Sequence, residues 1–234
     1  MKVEIWSDVM CPFCYIGKRR FEHALAQFPH KDEVEVEWKS FQLDPSIKSE
    51  PGKNINQYLA ERKGWSLEQA RQINSQVTET AATLGLHYDF DKAVVANSFD
   101  AHRFAHLAAA QGRGDAAEEA LFKAYFTEGK DVSDHETLAQ LGSAIGLDGT
   151  VVKQTLESDA YAADVRKDIY EAQTLGARGV PFFVLDRKYA VSGAQPEDTF
   201  EKALEQAYAG WKQTPKLNAV DGDASVCTPD GTCG

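Results

Sequence analysis

The chain has 234 residues, 43% of them hydrophobic and 26% charged, which is enough to bury a sizeable core without covalent staples; its four cysteines are therefore not needed as a structural disulfide framework. A formal net charge of −11 argues against nucleic acid and anionic membrane as partners, because that field repels polyanions. No apolar stretch approaches a membrane span, and the opening "MKVEIWSDV" alternates rather than forming the apolar centre of a signal peptide. A cytoplasmic location is expected, where thiols stay reduced and paired cysteines serve catalysis, redox sensing or metal binding.

Residues 2–7 alternate as a strand, with Val3 and Ile5 on one face and Trp6 on the other. From Pro12 the pattern turns helical, Phe13, Ile16, Phe21, Leu25 and Phe28 recurring near the helical period until Pro29. The basic run Lys18-Arg19-Arg20 on this helix reads as a solvated face. "VEVEWKSFQL" (34–43) alternates again and stops at Asp44-Pro45. A long helical stretch follows, in seven segments that begin on Asn, Ser or Asp or end on Gly, such as "SLEQARQINSQVTETAATLG" and "NSFDAHRFAHLAAAQG". Strand character returns in "PFFVLD" and "KYAVSG", split by a hairpin turn at Asp186-Arg187, and "PEDTFEKALEQAYAG" is a final helix. The order βαβ, helical block, ββα predicts an α/β fold in which the two ends share one sheet. Residues 1–47 and 177–210 then make a discontinuous domain, 48–176 an all-helical insertion, and 211–234 a flexible tail.

Two thiols stand at the first strand-to-helix junction, in Cys11-Pro12-Phe13-Cys14. Three readings compete: a redox pair, half of a zinc site, or inert core thiols. At a helix start, unpaired backbone N–H groups and the helix dipole stabilise a thiolate on Cys11, and Pro12 loses nothing by lacking an N–H. Cys14, deeper in the helix, is placed to resolve a mixed disulfide. A zinc site needs more ligands, and the remaining pair, Cys227 and Cys233, has a spacing wide for a zinc knuckle. Far along the chain, "RGVPFFV" sets Val180-Pro181 before a strand, a position compatible with a cis bond.

With "DVMCPFCYIGKRR", "FQLDP", "NSFDAHRFAHLA", "GVPFFV" and "VSGAQP" in this order, the chain resembles the thioredoxin-fold oxidoreductases of the DsbA type, and most nearly their FrnE-like branch. The resemblance implies a thioredoxin fold carrying a helical insertion over the active face. It implies thiol–disulfide exchange through Cys11 and Cys14, with Pro181 cis and packed against them. No cofactor is implied beyond the redox-active disulfide itself. Pro12, Phe13 and Val180 become substrate-binding positions, the Val180 backbone pairing with an extended segment. His102 and Arg103, on the helix set over the active face, join them; metal binding by His102 and His106 lacks a third ligand nearby in sequence. Two departures stand out. Ile5 occupies the place, six residues before Cys11, where many thioredoxin-fold enzymes bury a carboxylate, and Phe13 stands where strongly oxidising members carry His. The first removes a proton relay to Cys14 from that position; the second adds no positive charge to stabilise a thiolate, and a less oxidising couple is expected.

The leading function is therefore a protein-disulfide reductase or isomerase, with protein thiols and disulfides as partners and glutathione or the thioredoxin system as electron source. A glutathione-dependent isomerase or transferase acting on a small aromatic substrate, and a zinc-holding redox chaperone, are the alternatives. The tail pair Cys227 and Cys233, bracketing the turn sequence Pro-Asp-Gly, is expected to be a second redox pair exchanging with Cys11.

Overall fold

A computed structural model of the chain describes residues 1–213. Strand β1 (Lys2–Ser7) leads into helix α1 (Pro12–Gln27), and a single 3-10 turn at Lys31–Glu33 returns the chain to β2 (Glu35–Ser40). β2 runs parallel to β1, pairing from Lys2 with Glu35 to Ser7 with Ser40. The chain rejoins this sheet much later, as the hairpin β5 (Phe182–Leu185) and β6 (Tyr189–Ser192), and closes with helix α9 (Glu197–Lys212). The sheet order is β2-β1-β5-β6, with β5 antiparallel to both its neighbours. Asp186 and Arg187 take positive φ (50° and 54°), the backbone a tight hairpin between twisted strands requires.

The alternation read in β1 sets the two faces of the sheet. Val3 and Ile5 pack with Phe21 and Ala24 of α1 and with Phe200 and Leu204 of α9. Trp6 points the other way, onto Phe182, Val184 and Ala172. Between β2 and β5 lie a short strand β3 (Glu50–Asn54), helices α2 (Ile55–Lys63) and α3 (Leu67–Ala82), a strand β4 (Val94–Val95), and helices α4 (Phe99–Ala110), α5 (Gly114–Phe126), α6 (His135–Ala144), α7 (Gly149–Glu157) and α8 (Ala162–Thr174). The seven helices match the seven segments read in sequence. The helix starts follow the capping chemistry: Ser66 and Gln69 form a reciprocal capping box on α3, and the Asp134 and Asp148 side chains cap α6 and α7.

Two features are not legible in the sequence. β3 and β4 form a short antiparallel ribbon in a region that reads as purely helical, its register broken between Glu50 and Asn54. Helix α8 falls within the interval 48–176, yet it covers the second face of the sheet: Ala172 packs beside Trp6, and the indole N–H of Trp6 donates to the Asp168 carbonyl at 2.8 Å. The other insertion helices build a separate core around Phe104, Leu121, Phe122 and Phe126, and that core reaches into the first turns of α1 through Cys11, Cys14, Tyr15 and Ile16. Among the described residues no helix is long and apolar enough to cross a membrane.

Candidate active site

Cys11 is the cap residue of α1, with extended backbone, and Pro12 is the first helical residue. The Cys11 N–H donates to the Asp8 carbonyl at 2.9 Å, and the Cys11 carbonyl accepts from the Cys14 N–H at 3.0 Å. No side chain caps this helix and its first turn carries no acid, so the thiol at the cap is what faces the free N–H groups. Both cysteines are free thiols.

The strand-leading loop meets this turn from across the sheet. The Val180–Pro181 bond is cis, and the Val180 carbonyl accepts from the Cys11 thiol at 3.5 Å. Pro181 rests on Gly17, where a Cβ would stand only 2.8 Å from the ring Cγ; glycine is what lets the loop come this close to α1. On the insertion side, the Tyr88 hydroxyl donates to the Pro12 carbonyl at 2.8 Å, and Tyr15 stacks between Tyr88 and Phe122. Cys11, Cys14, Pro12, Phe13, Val180 and Pro181 are thus brought together as expected.

Cys11 is less exposed than expected of an attacking sulfur, at 4%, because the insertion core closes over the first turn of α1. It is reached through a groove of about 490 Å³ that it lines together with Pro12, Phe13 and Val180. The far wall is apolar, with Ile55, Leu59, Trp65, Ile73 and Val77 from α2, α3 and the turn between them; at its rim Arg62 pairs with Asp44, and Lys63 and Asp8 also line it. Phe13, 47% exposed, is an apolar surface offered to whatever enters.

Cys14 is buried behind it. Burial, then the hydrogen bond and charge of Cys11, push its thiol well above the ordinary range; the Asp8 backbone and the Ser7 hydroxyl act in the opposite direction without offsetting them. Of the two thiols only Cys11 lines the groove.

The described part of the chain matches the model of the DSBA-like thioredoxin domain over residues 2–205. The protein belongs to this family. It is 44% identical to the probable DsbA oxidoreductase SCO1869 from Streptomyces coelicolor, whose crystal structure superposes with a TM-score of 0.87 over 100% of this chain and 98% of that one. The uncharacterized protein YwbO of Bacillus subtilis is 31% identical over 206 residues, covering 86% of this chain and 94% of that protein. The cytosolic disulfide reductase DsbM from Pseudomonas aeruginosa, also solved with GSH, shares the fold at 18% identity with a TM-score of 0.63, covering 89% of this chain and 99% of that one. Members of the family are thiol oxidoreductases.

Other expected site residues lie elsewhere. Arg103 is buried and spent on structure: its guanidinium donates to the carbonyls of Thr155, Leu156, Ser158 and Ala160 at the end of α7 and to Asp100. His102 is 1% exposed, stands 3.6 Å from Asp8 and does not line the groove. His106 bonds Ser40 and Asp168. Among the described residues no group of three or more metal-ligating side chains converges. The basic run is not a solvated face. Lys18 is buried against Glu22, Asp115 and Glu119, Arg19 pairs with Glu22 and Glu119, and Arg20 donates to the Ala194 carbonyl, so the run stitches α1 to α5 and to the loop after β6. Cys227 and Cys233 lie outside the described residues.

Sequence reading misses Asp8 and Tyr88, which bond the Cys11–Pro12 turn. Each is ordinary in its local pattern, and only the tertiary fold sets it beside the thiols; Asp8, three residues before Cys11, is the one with a visible signal.

Proposed function

We propose that the protein is a thiol–disulfide oxidoreductase that reduces or isomerises disulfides in other proteins, with Cys11 attacking and Cys14 resolving. The observation that carries this reading is the pair's arrangement: one thiol at an uncapped helix start lining an apolar groove, the second buried directly behind it. The Cys11 thiolate attacks a substrate disulfide, forming an S–S bond to one substrate sulfur and releasing the other as a thiol. Cys14 then attacks Cys11, the enzyme is oxidised by two electrons, and the substrate leaves reduced. Thioredoxin or glutathione returns the two electrons, and no further cofactor is required. Pro12, Phe13 and the Val180 backbone receive the substrate segment, Pro181 holds that backbone against Cys11, and the apolar wall takes its side chains.

Direction follows from the electrostatics. No charged side chain stands between the thiols, Phe13 being neutral, so no positive charge there stabilises a thiolate. An oxidase draws its strength from a stabilised reduced thiolate, so this pair fits a reductant or isomerase working in the reducing cytoplasm. A glutathione-dependent isomerase needs only one reactive group at the first position; the second thiol in the same turn favours exchange. The test is insulin reduction with dithiothreitol as electron donor. Wild type should accelerate precipitation of the insulin B chain and Cys11→Ser should not; equal rates would overturn the reading.

A further inference from the structure

Asp44, in the loop after β2, is where the two walls of the groove meet. Its carboxylate is aimed by its own turn: Oδ1 accepts from the Ser46 N–H at 3.1 Å and from the Ser46 hydroxyl at 2.6 Å. Oδ2 is left for α2. It accepts from the Tyr58 hydroxyl at 2.8 Å and pairs with Nη2 of Arg62, also at 2.8 Å. Tyr58 and Arg62 stand one helical turn apart on α2, so both reach the same oxygen from one face. All three residues line the groove that Cys11 lines.

No other polar contact joins these walls. Among the described residues, the remaining hydrogen bonds and ion pairs of the α2 and α3 side chains stay within the insertion: Glu61 meets Lys53, Asn56 meets Phe90 and Asp91, Asn74 meets Asn56, and Arg71 meets Asp91. Walls held 2.8 Å apart at Asp44 leave no passage there for a polypeptide, whose backbone stands about 4.7–4.9 Å from a neighbouring strand even when the two are hydrogen-bonded. A disulfide small enough to stay beside Cys11 does not meet this limit.

We propose that Asp44, Tyr58 and Arg62 are specificity determinants of the exchange reaction: they form a latch across the groove that a polypeptide disulfide must part and a small disulfide need not. The proposal rests on the exchange reading above and adds which disulfides are admitted. Parting the latch returns Oδ2, the Tyr58 hydroxyl and the Arg62 guanidinium to water, where each finds new partners, so the cost is modest. The Arg62 side chain, 53% exposed, is the mobile half; Asp44, 17% exposed and tied to Ser46, is the fixed half. Apolar side chains of a client, set against Leu59, Trp65 and Ile73, offset the opening. A polar segment brings no such compensation, so the latch favours polypeptides with apolar residues near their disulfide. The Ser46 hydroxyl, and after it Tyr58 and Arg62, hold the Asp44 carboxyl below the usual range in spite of burial, which keeps the pair charged at neutral pH.

The experiment compares two disulfides. Reduced full-length protein, freed of reductant, is mixed with insulin or with bis(2-hydroxyethyl) disulfide. Samples are quenched in acid, and the fraction carrying a Cys11–Cys14 disulfide is counted by mass spectrometry of that peptide. The quantity read is the ratio of second-order rate constants, insulin over the small disulfide. Arg62→Ala and Asp44→Asn should each raise this ratio about fivefold, the effect of an exposed ion pair together with a hydrogen bond. The two substitutions move the net charge in opposite directions, so a rise in both separates a latch from attraction or repulsion of the client by charge. Tyr58→Phe should raise the ratio about twofold. Arg62→Lys, which can renew a contact made through one nitrogen, should stay near wild type. A ratio unchanged or lowered in Arg62→Ala or in Asp44→Asn overturns the proposal, as does a rise in Arg62→Lys equal to that in Arg62→Ala. Failure of wild type to form the Cys11–Cys14 disulfide with either reagent would instead remove the exchange reading, and this inference with it.

Discussion

Replacing Gly17 by Ala tests how tightly the Pro181 loop is held against α1. The new Cβ would stand 2.8 Å from Pro181 Cγ and 3.5 Å from Phe183 Cζ. Carbon atoms rest at about 3.5–4.0 Å, so the loop or the helix must yield by roughly 0.7–1.2 Å. Neither side is loose. The Pro181 carbonyl accepts from the Gly193 N–H at 2.8 Å, Phe182 is paired with both Trp6 and Ser192, and Phe183 is fully buried against Phe21 and Phe200. Forcing one extra methyl into such a contact costs about 1–3 kcal/mol, and alanine recovers about 1 kcal/mol as the better helix former. The expected net loss is about 1 kcal/mol, a fall in Tm of about 2–4 °C for a chain of this size. Activity should suffer more than stability, because the displacement falls on the Val180 carbonyl, 3.5 Å from the Cys11 sulfur. Insulin reduction should slow about tenfold or more, as misplacement near 1 Å does at a reacting centre. Thermal melting and turnover on the same sample decide it. A variant that melts at or above wild type and turns over normally would refute the confinement of this loop.

The other predictions concern single groups. In Cys14→Ser, Cys11 should accumulate as a stable mixed disulfide with substrate, whereas the variant retaining only Cys14 should alkylate more slowly than the one retaining only Cys11; the reverse order of rates would exchange their roles. Burial works against the charge on Asp168, but His106, the Ser40 N–H and Lys39 together hold its carboxyl below the usual range. Its stabilising contribution is therefore present above about pH 4 and lost as pH falls through the folded value. Asp168→Asn should be less stable than wild type at neutral pH, with the gap closing in acid; a gap independent of pH would contradict this. Glu118 of α5 carries the opposite sign. Burial puts its folded value at about 7, above the unfolded value of about 4.3, so wild-type stability falls as pH rises between them. Glu118→Gln should gain up to roughly 2–4 kcal/mol in urea melts above that window and nothing below it, since each tenfold difference in proton affinity between the folded and unfolded chain is worth about 1.36 kcal/mol; no gain above neutral pH would show that the carboxylate is stabilised in place.

What can be read from the sequence is what the chain encodes locally. Pro12 at a helix start, the alternation of β1 and the Asp186-Arg187 turn are each decided by neighbours within a few residues, and together they locate the thiols and the sheet. Lys18 escapes such a reading because its partners Asp115 and Glu119 come from another helix, so that a basic run with a solvated pattern is in fact buried. Arg103 looks like a substrate contact from its nearness to His102, while the carbonyls it serves lie more than fifty residues further on. The β3–β4 ribbon leaves no trace because one partner is only two residues long, too short for any period to register.

Cys11, Cys14, Tyr15 and Ile16 belong to the same apolar cluster as the insertion helices. The insertion is consequently not an interchangeable module clipped onto a finished enzyme. Exchanging it by recombination would strip the packing from the first turn of the catalytic helix and open both sulfurs to water and oxidants at once. Point changes on the groove wall, where Trp65 and Ile73 are exposed, leave that junction untouched. A designer seeking new clients would accordingly edit that wall and leave the boundary between lid and scaffold intact.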